Sequence, residues 1–249
     1  MFSQVFIAAL AVSLWIGSSL AFAGEPVPKA EADKLRSALE VGNAGLKVGT
    51  VKNSEIPGLY EVQFINGPLI YATTKGDFFI VGDIFGVGSD GYVNLAEKRR
   101  DSERAEQLAA LDEDDMIVFS PEGETLATMT VFTDVSCFYC QKLHKEVPAL
   151  NKRGVEVRYL GYPRAGVGSE AFRQLASAWC ADDKQATITA LKNRETVPEN
   201  VCPDNPIAEQ YLLGQKMGVR GTPAIVLESG QMIPGYQSAD DLMVTLGLN

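Results

Sequence analysis

Val131-Phe132-Thr133-Asp134-Val135-Ser136-Cys137-Phe138-Tyr139-Cys140 decides how this chain is read. It is an apolar strand, a short polar turn, and a C-x-x-C pair where a helix begins. At a helix N-terminus the unpaired backbone N–H groups and the positive end of the dipole favour an anion. A cysteine there can ionise near neutral pH, and only the thiolate attacks a disulfide. Cys140, three positions on, lies one turn deeper on the same face. It is placed to close a reversible disulfide with Cys137 and to resolve a mixed disulfide formed there. The expected roles are Cys137 as nucleophile and Cys140 as resolving thiol.

Other readings compete. A purely structural i,i+3 disulfide closes so short a loop that it stabilises little. A zinc site would use Cys137, Cys140 and His144 at i, i+3 and i+7, with Cys180 or Cys202 as fourth ligand, but structural zinc sites show two closely spaced ligand pairs. Covalent haem attachment needs histidine directly after the second cysteine, where this chain has Gln141. No metal and no cofactor is expected, and His144 reads as a partly exposed helix residue.

Strands and helices alternate around this stretch. Met116–Phe119 and Leu126–Phe132 are strand-like, Cys137–Leu150 helix-like, and Gly154–Tyr162 a strand. Helices are expected over Ser169–Ala181, Lys184–Leu191, Pro206–Met217 and Ser238–Leu246, with a hairpin about Ser229-Gly230. That alternation indicates a layered sheet with helices packed on it. Upstream, Leu46–Ile84 breaks into short β-rich runs separated by Pro57-Gly58, Asn66-Gly67-Pro68 and Lys75-Gly76, the pattern of a small antiparallel sheet preceded by a helix over Lys29–Val41. Such a small sheet has a marginal core and exposed edges, which a second copy of the chain would cover. Between the two regions, Leu95–Asp115 is densely charged and free of glycine and proline, and reads as a solvated connecting helix with a thin apolar stripe at Ala105, Leu108, Ala109 and Leu111.

The chain begins with an uncharged apolar run, Val5–Leu20, then Ala21-Phe22-Ala23. This is the pattern of a cleavable signal peptide over 1–23 rather than a membrane anchor, for which the run is short. Export places the chain where disulfides persist. Cys180 and Cys202, 22 residues apart, then read as a structural disulfide worth about 3 kcal/mol, with a second redox pair as the alternative. The 249 residues carry 22 basic and 32 acidic side chains, a formal charge of −10, which excludes a main role in gripping nucleic acid or an anionic membrane.

One further motif is Gly221-Thr222-Pro223-Ala224 before an apolar strand. A proline there marks a turn and sometimes a cis bond. Strand, C-x-x-C helix and Thr-Pro before a hairpin together resemble a thioredoxin-like domain. The closer resemblance is to the periplasmic disulfide isomerases of the DsbC type. It rests on Phe132-Thr133-Asp134, Cys137-x-Tyr139-Cys140-x-Lys142-Leu143-His144, Val157-Arg158-Tyr159-Leu160, Pro163-Arg164, Trp179-Cys180, Gly221-Thr222-Pro223-Ala224 and Pro234-Gly235-Tyr236, and upstream on Pro57-Gly58-Leu59-Tyr60-Glu61-Val62.

The resemblance implies an α+β and α/β chain. Its parts would be an N-terminal antiparallel-sheet dimerisation domain (24–94), a helical linker (95–115) and a thioredoxin-like catalytic domain with a helical insertion (116–249). It further implies a cis Pro223 facing the redox pair, with Thr222 and Pro223 aligning the client backbone. Also implied are a Cys180–Cys202 structural disulfide, a homodimer with an uncharged cleft, clients that are misfolded disulfide-containing exported proteins, and a membrane electron donor of the DsbD type. Phe138 departs from the glycine usual in these isomerases. A reductase of sulfenylated cysteines of the DsbG type and a dimeric holdase chaperone are the alternative functions.

Overall fold

The computed structural model describes residues 24–40, 45–65, 67–89 and 91–248. The expected signal peptide, 1–23, lies outside the described residues. Contacts divide the chain between Asp83 and Ile84, ahead of a hairpin that leads into the next helix.

The first unit carries α1 (Lys29–Leu39) and a four-stranded antiparallel sheet in the order β1 (Lys47–Asn53), β2 (Leu59–Ile65), β3 (Leu69–Thr73), β4 (Phe79–Val81). Leu35 of α1 packs with Val48, Val51, Val62, Phe64 and Ile70 into one small core. The two sheet edges differ. Along β1, residues 24–27 add backbone bonds to Val51 and Asn53 and a bridge from Pro26 to Lys52. Along β4 the apolar side chains of Phe78, Phe79, Ile80 and Val81 are all exposed.

The second unit opens with a hairpin, β5 (Phe85–Gly88) and β6 (Gly91–Asn94), leading into α2 (Leu95–Ala109), whose first turn is capped by the Asn94 side chain accepting from the Glu97 N–H. A five-stranded mixed sheet follows. Its order is β11 (Met232–Pro234), β10 (Ala224–Leu227), β8 (Ala127–Thr133), β9 (Val155–Gly161), β7 (Ile117–Phe119). β8 and β9 are parallel and every other pairing is antiparallel.

The period-two alternation of β8 and β10 sends Met129, Val131, Ile225 and Leu227 to one face and Phe132, Ala224 and Val226 to the other. The first face is covered by α3 (Phe138–His144), α4 (Val147–Asn151), α5 (Glu170–Trp179), α6 (Lys184–Lys192) and α8 (Ala239–Leu246), and the second by the end of α7 (Ile207–Met217) with Leu108 and Leu111. This is the thioredoxin-like arrangement expected from the sequence, with α5, α6 and α7 lying between β9 and β10. Cys180 caps α5 and is bonded to Cys202, with Cα atoms 5.8 Å apart, so the disulfide ties that helix to the loop before α7.

Two expectations are corrected. The single helix expected over Cys137–Leu150 is broken after His144, because Pro148 has no N–H to give and its ring would strike the carbonyl four residues earlier. Nor is the connecting helix a solvated linker. Arg104 is buried, donates from Nε to the Met217 carbonyl at 3.0 Å, and pairs with Glu97 and Asp101, both at 2.8 Å. The approach is close: a Cβ on Gly230, in the β10–β11 turn at φ +82°, would lie 1.7 Å from the Asp101 carbonyl oxygen. The charges that mark α2 as solvated are thus partly spent on docking it to the second unit.

Gly230→Ala is expected to lower the unfolding free energy by about 2 kcal/mol or more, read from urea denaturation, since it meets both a positive φ and a backbone atom. Replacing Cys180 and Cys202 by alanine is expected to cost about 2–4 kcal/mol in the same measurement.

Candidate active site

Strand β8 ends at Thr133, and four residues, Asp134 to Cys137, turn the chain into α3. Asp134, 1% exposed, organises this turn. One carboxylate oxygen accepts from the Ser136 N–H and hydroxyl, both at 2.7 Å, and the other from the Arg164 N–H at 2.9 Å and Nε at 3.1 Å. Burial alone would raise its pKa, but these bonds outweigh it and hold the carboxyl below its usual range. The Asp134 carbonyl then accepts from the Cys137 N–H at 3.2 Å, fixing Cys137 as the N-cap of α3.

Both cysteines of the pair are unbridged and buried, Cys137 at 3% exposure and Cys140 at 1%. The Cys137 thiol lies 3.2 Å from the Thr222 carbonyl oxygen, to which it donates. Thr222 and Pro223 are joined by a cis peptide bond, as expected, and the contact with the Thr222 carbonyl sets their loop against Cys137. Thr222 also buries its hydroxyl without a conventional hydrogen-bond partner among the described residues; it faces the two sulfurs.

The surroundings separate the two thiols. Cys137 is lowered to about 5, first by the bond from the Cys140 thiol, then by the Thr222 hydroxyl, the Cys140 N–H and the charge of Arg164, all against the cost of burial. Cys140 is pushed far up, first by burial and then by that same bond to Cys137. One sulfur is therefore an anion at neutral pH and the other keeps its proton. Such a pair attacks a disulfide from Cys137 and holds Cys140 in reserve.

Around the sulfurs, Phe138 and Tyr139 are 61% and 56% exposed. Tyr139 stacks on Tyr236, which also carries Lys142 Nζ 4.2 Å above its ring and donates to Glu146 at 2.7 Å. On the far side of Pro223 a cleft of about 350 Å³ is lined by Glu97, Arg220, Gly221, Met232 and Pro234.

His144 is buried, not partly exposed as expected. Its ring nitrogens meet Tyr159 Oη at 3.0 Å and Thr189 Oγ1 at 3.1 Å, and burial followed by the charge of Lys192 lowers it to about 4, so it stays neutral. The site contains a further residue that sequence reasoning missed. Lys192 is wholly buried behind the helix and donates from Nζ to Thr133 Oγ1 at 2.5 Å and the Asp134 carbonyl at 3.0 Å. Its signal in the sequence was its register: with Ile188 and Leu191 it falls on one face of α6, a face that packs inward.

Alkylation of reduced Cys137 by iodoacetamide is expected to follow one ionisation near pH 5, with Cys140 unreactive at neutral pH. The folded value lies below the ordinary thiol value of 9.0. The thiolate therefore adds stability that is complete above the unfolded value and lost as pH falls through about 5. The urea midpoints of the reduced wild type and of Cys137→Ala are expected to converge over that window.

Comparison with known proteins agrees with this geometry. A family model described as a thioredoxin-like domain matches residues 112–247, and one described as the disulfide bond isomerase protein N-terminal domain matches residues 26–97. The thiol:disulfide interchange protein DsbC of Escherichia coli is 33% identical over 213 residues, covering 86% of this chain and 87% of that relative. The DsbC of Dickeya dadantii is 36% identical over 217 residues, covering 87% and 88%. Among solved structures, a linker-deletion mutant of Proteus mirabilis ScsC superposes with a TM-score of 0.53 at 18% identity, over 61% of this chain and 83% of that one, a likeness of fold. By the identity it shares with these relatives along nearly their whole length, and by matches to both domain models, the chain belongs to the DsbC family.

Proposed function

We propose that this protein is a periplasmic thiol:disulfide isomerase that acts on wrongly paired disulfides of exported proteins. The observation that carries this reading is the division of ionisation between two unbridged thiols, Cys137 anionic and Cys140 protonated. When the Cys137 thiol ionises it gives up its bond to the Thr222 carbonyl, and the sulfur attacks a client disulfide. A client–Cys137 disulfide forms, and the second client sulfur leaves as a thiolate. If that thiolate attacks another client disulfide, a different client thiolate is freed; when this one attacks the client–Cys137 disulfide, a rearranged client disulfide forms and Cys137 leaves as the thiolate. If the client is trapped, Cys140 attacks Cys137 and frees the client reduced.

Several features support the client-facing roles. The backbone of Thr222 and Pro223 lies beside the nucleophile, where an extended client segment would be aligned. The exposed rings of Phe138 and Tyr139 offer apolar contact to an unfolded chain. Phe138 stands between the cysteines with its ring in solvent and 5.5 Å from that of Tyr139. A pair with so stable a thiolate favours its own reduced form. An isomerase must be reduced to act, and we assign that supply to a membrane electron donor of the DsbD type.

The protein works as a homodimer through the N-terminal sheet. Of the two edges of that sheet, β1 is already paired by residues 24–27, whereas β4 is open and exposes Phe79, Ile80 and Val81, with Phe78 just before it. The second copy's β4 is the partner that this edge fits. Export by the segment 1–23 places both copies in the periplasm; no helix among the described residues is long and apolar enough to cross a membrane.

Cys137→Ala is expected to abolish recovery of activity from a scrambled multi-disulfide protein, and full recovery in that variant would overturn the reading. Thiol trapping in cells is expected to find Cys137 and Cys140 mainly reduced; a mainly oxidised pair would indicate an oxidase. For the dimer, Ile80→Lys is expected to shift the mass measured by light scattering from two chains to one.

A further inference from the structure

Lys192 has no part in the exchange chemistry described so far, yet it is the least ordinary side chain of the second unit. It ends α6, a helix packed against α3, and is 2% exposed. Both of its hydrogen-bond acceptors, Thr133 Oγ1 and the Asp134 carbonyl, are uncharged, and among the described residues it forms no ion pair. The Asp134 carboxylate is turned to Arg164 and Ser136 instead. An ammonium in such a place is hydrogen-bonded only to neutral oxygens and carries the full cost of desolvation, which outweighs the attraction of the nearby acidic groups, so its neutral amine is readily reached.

Lys192 and the two cysteines converge on one residue. The Asp134 carbonyl accepts from both Lys192 and the Cys137 N–H, and the Asp134 N–H is directed at the Cys140 sulfur. The ionisable groups facing Lys192 are Asp134, Cys137, Cys140, His144, Tyr159 and Arg164. Most of these are fixed in charge at neutral pH. His144 is held neutral, burial keeps Tyr159 protonated, and Arg164 and Asp134 are paired. Lys192 itself is lowered to about 8, by burial first, against the pull of Cys140 and Asp134.

Building on the assignment of Cys137 as nucleophile, we propose that Lys192 takes the proton of Cys140 in the step that ends a trapped mixed disulfide. In that step the Cys140 sulfur bonds to the Cys137 sulfur, and the bond between Cys137 and the client sulfur breaks. The electron pair leaves on the client, which is reduced by two electrons while the cysteine pair is oxidised by two. The proton lost by Cys140 resides on Lys192 and later passes to the client thiolate or to water. The resulting charge suits the moment: the ammonium appears as the buried thiolate forms and is attracted by it, and the cation is relieved once the proton is passed on.

The test follows both thiols in one trace. Reduced protein mixed with one equivalent of 5,5′-dithiobis(2-nitrobenzoate) releases a first thionitrobenzoate on attack by Cys137 and a second on attack by Cys140. In Lys192→Met, the first phase is expected to stay within about twofold of wild type. The second is expected to slow about tenfold or more at neutral pH, with its pH midpoint moved up by about one unit or more. An unchanged second phase, or equal slowing of both phases, would overturn the proposal. A measurement on the wild-type protein does not depend on that variant folding. Nitrogen-15 NMR of labelled lysine is expected to place the Lys192 ionisation near 8 in the reduced protein; an ionisation above about pH 10, the ordinary lysine range, would overturn the proposal. Failure of the underlying reading is separate, since it would show as a first phase that survives Cys137→Ala.

Discussion

Two sulfur atoms one helical turn apart share a single proton, and the rest of the second unit decides which of them keeps it. A pair of equivalent cysteines would ionise near the same pH, with neither the better nucleophile. Here the outer sulfur sits at the helix cap, where it receives bonds from the Cys140 thiol and N–H and feels Arg164. The inner one is enclosed by the sheet and the helices on its face. The asymmetry is therefore a property of depth and of donors, not of the C-x-x-C motif alone. Changing a single donor shifts both thiols, because each acts as the partner of the other.

The frame around this pair is a chain of polar residues crossing three elements. Asp134 follows the strand and bonds Arg164 from the loop after β9, while Lys192 reaches the same turn from α6. Asp134 and Lys192 are buried and both are held by hydrogen bonds at this turn, while the half-exposed Arg164 closes it from outside. The Thr222–Pro223 loop closes the remaining side. That loop follows α7, whose last carbonyl, on Met217, is held by Arg104 of α2. The helix that connects the two regions of the sequence thus bears on the same end of the domain as the redox pair, and Gly230 is the residue that lets it come so close.

How much of this was legible in the sequence differs by element. The alternating runs from Met116 onward gave the order of strands and helices nearly as they stand, because a sheet covered on both faces leaves a strong apolar signature. The C-x-x-C and Thr-Pro motifs gave the reactive pair and the loop that faces it, through local geometry in the first case and family resemblance in the second. The helix break at Pro148 was overlooked although proline chemistry announces it. The docking of α2 was misread, since a charge-rich helix looks the same in a sequence whether its charges meet water or a neighbouring carbonyl.

By itself, then, the sequence determined the layered fold, the ordering of Cys137 before Cys140, and the pairing of Cys180 with Cys202 as an expectation the structure meets. Those properties follow from periodicity, spacing and resemblance, which are carried along the chain. Only the tertiary structure decided that His144 is a buried neutral ring, that Arg164 and Asp134 frame the turn, and that a lysine some fifty residues after Cys140 lies behind it. Burial and electrostatic coupling depend on which distant segments meet, and no run of neighbouring residues encodes that the last residue of α6 faces the inner sulfur's side of the sheet.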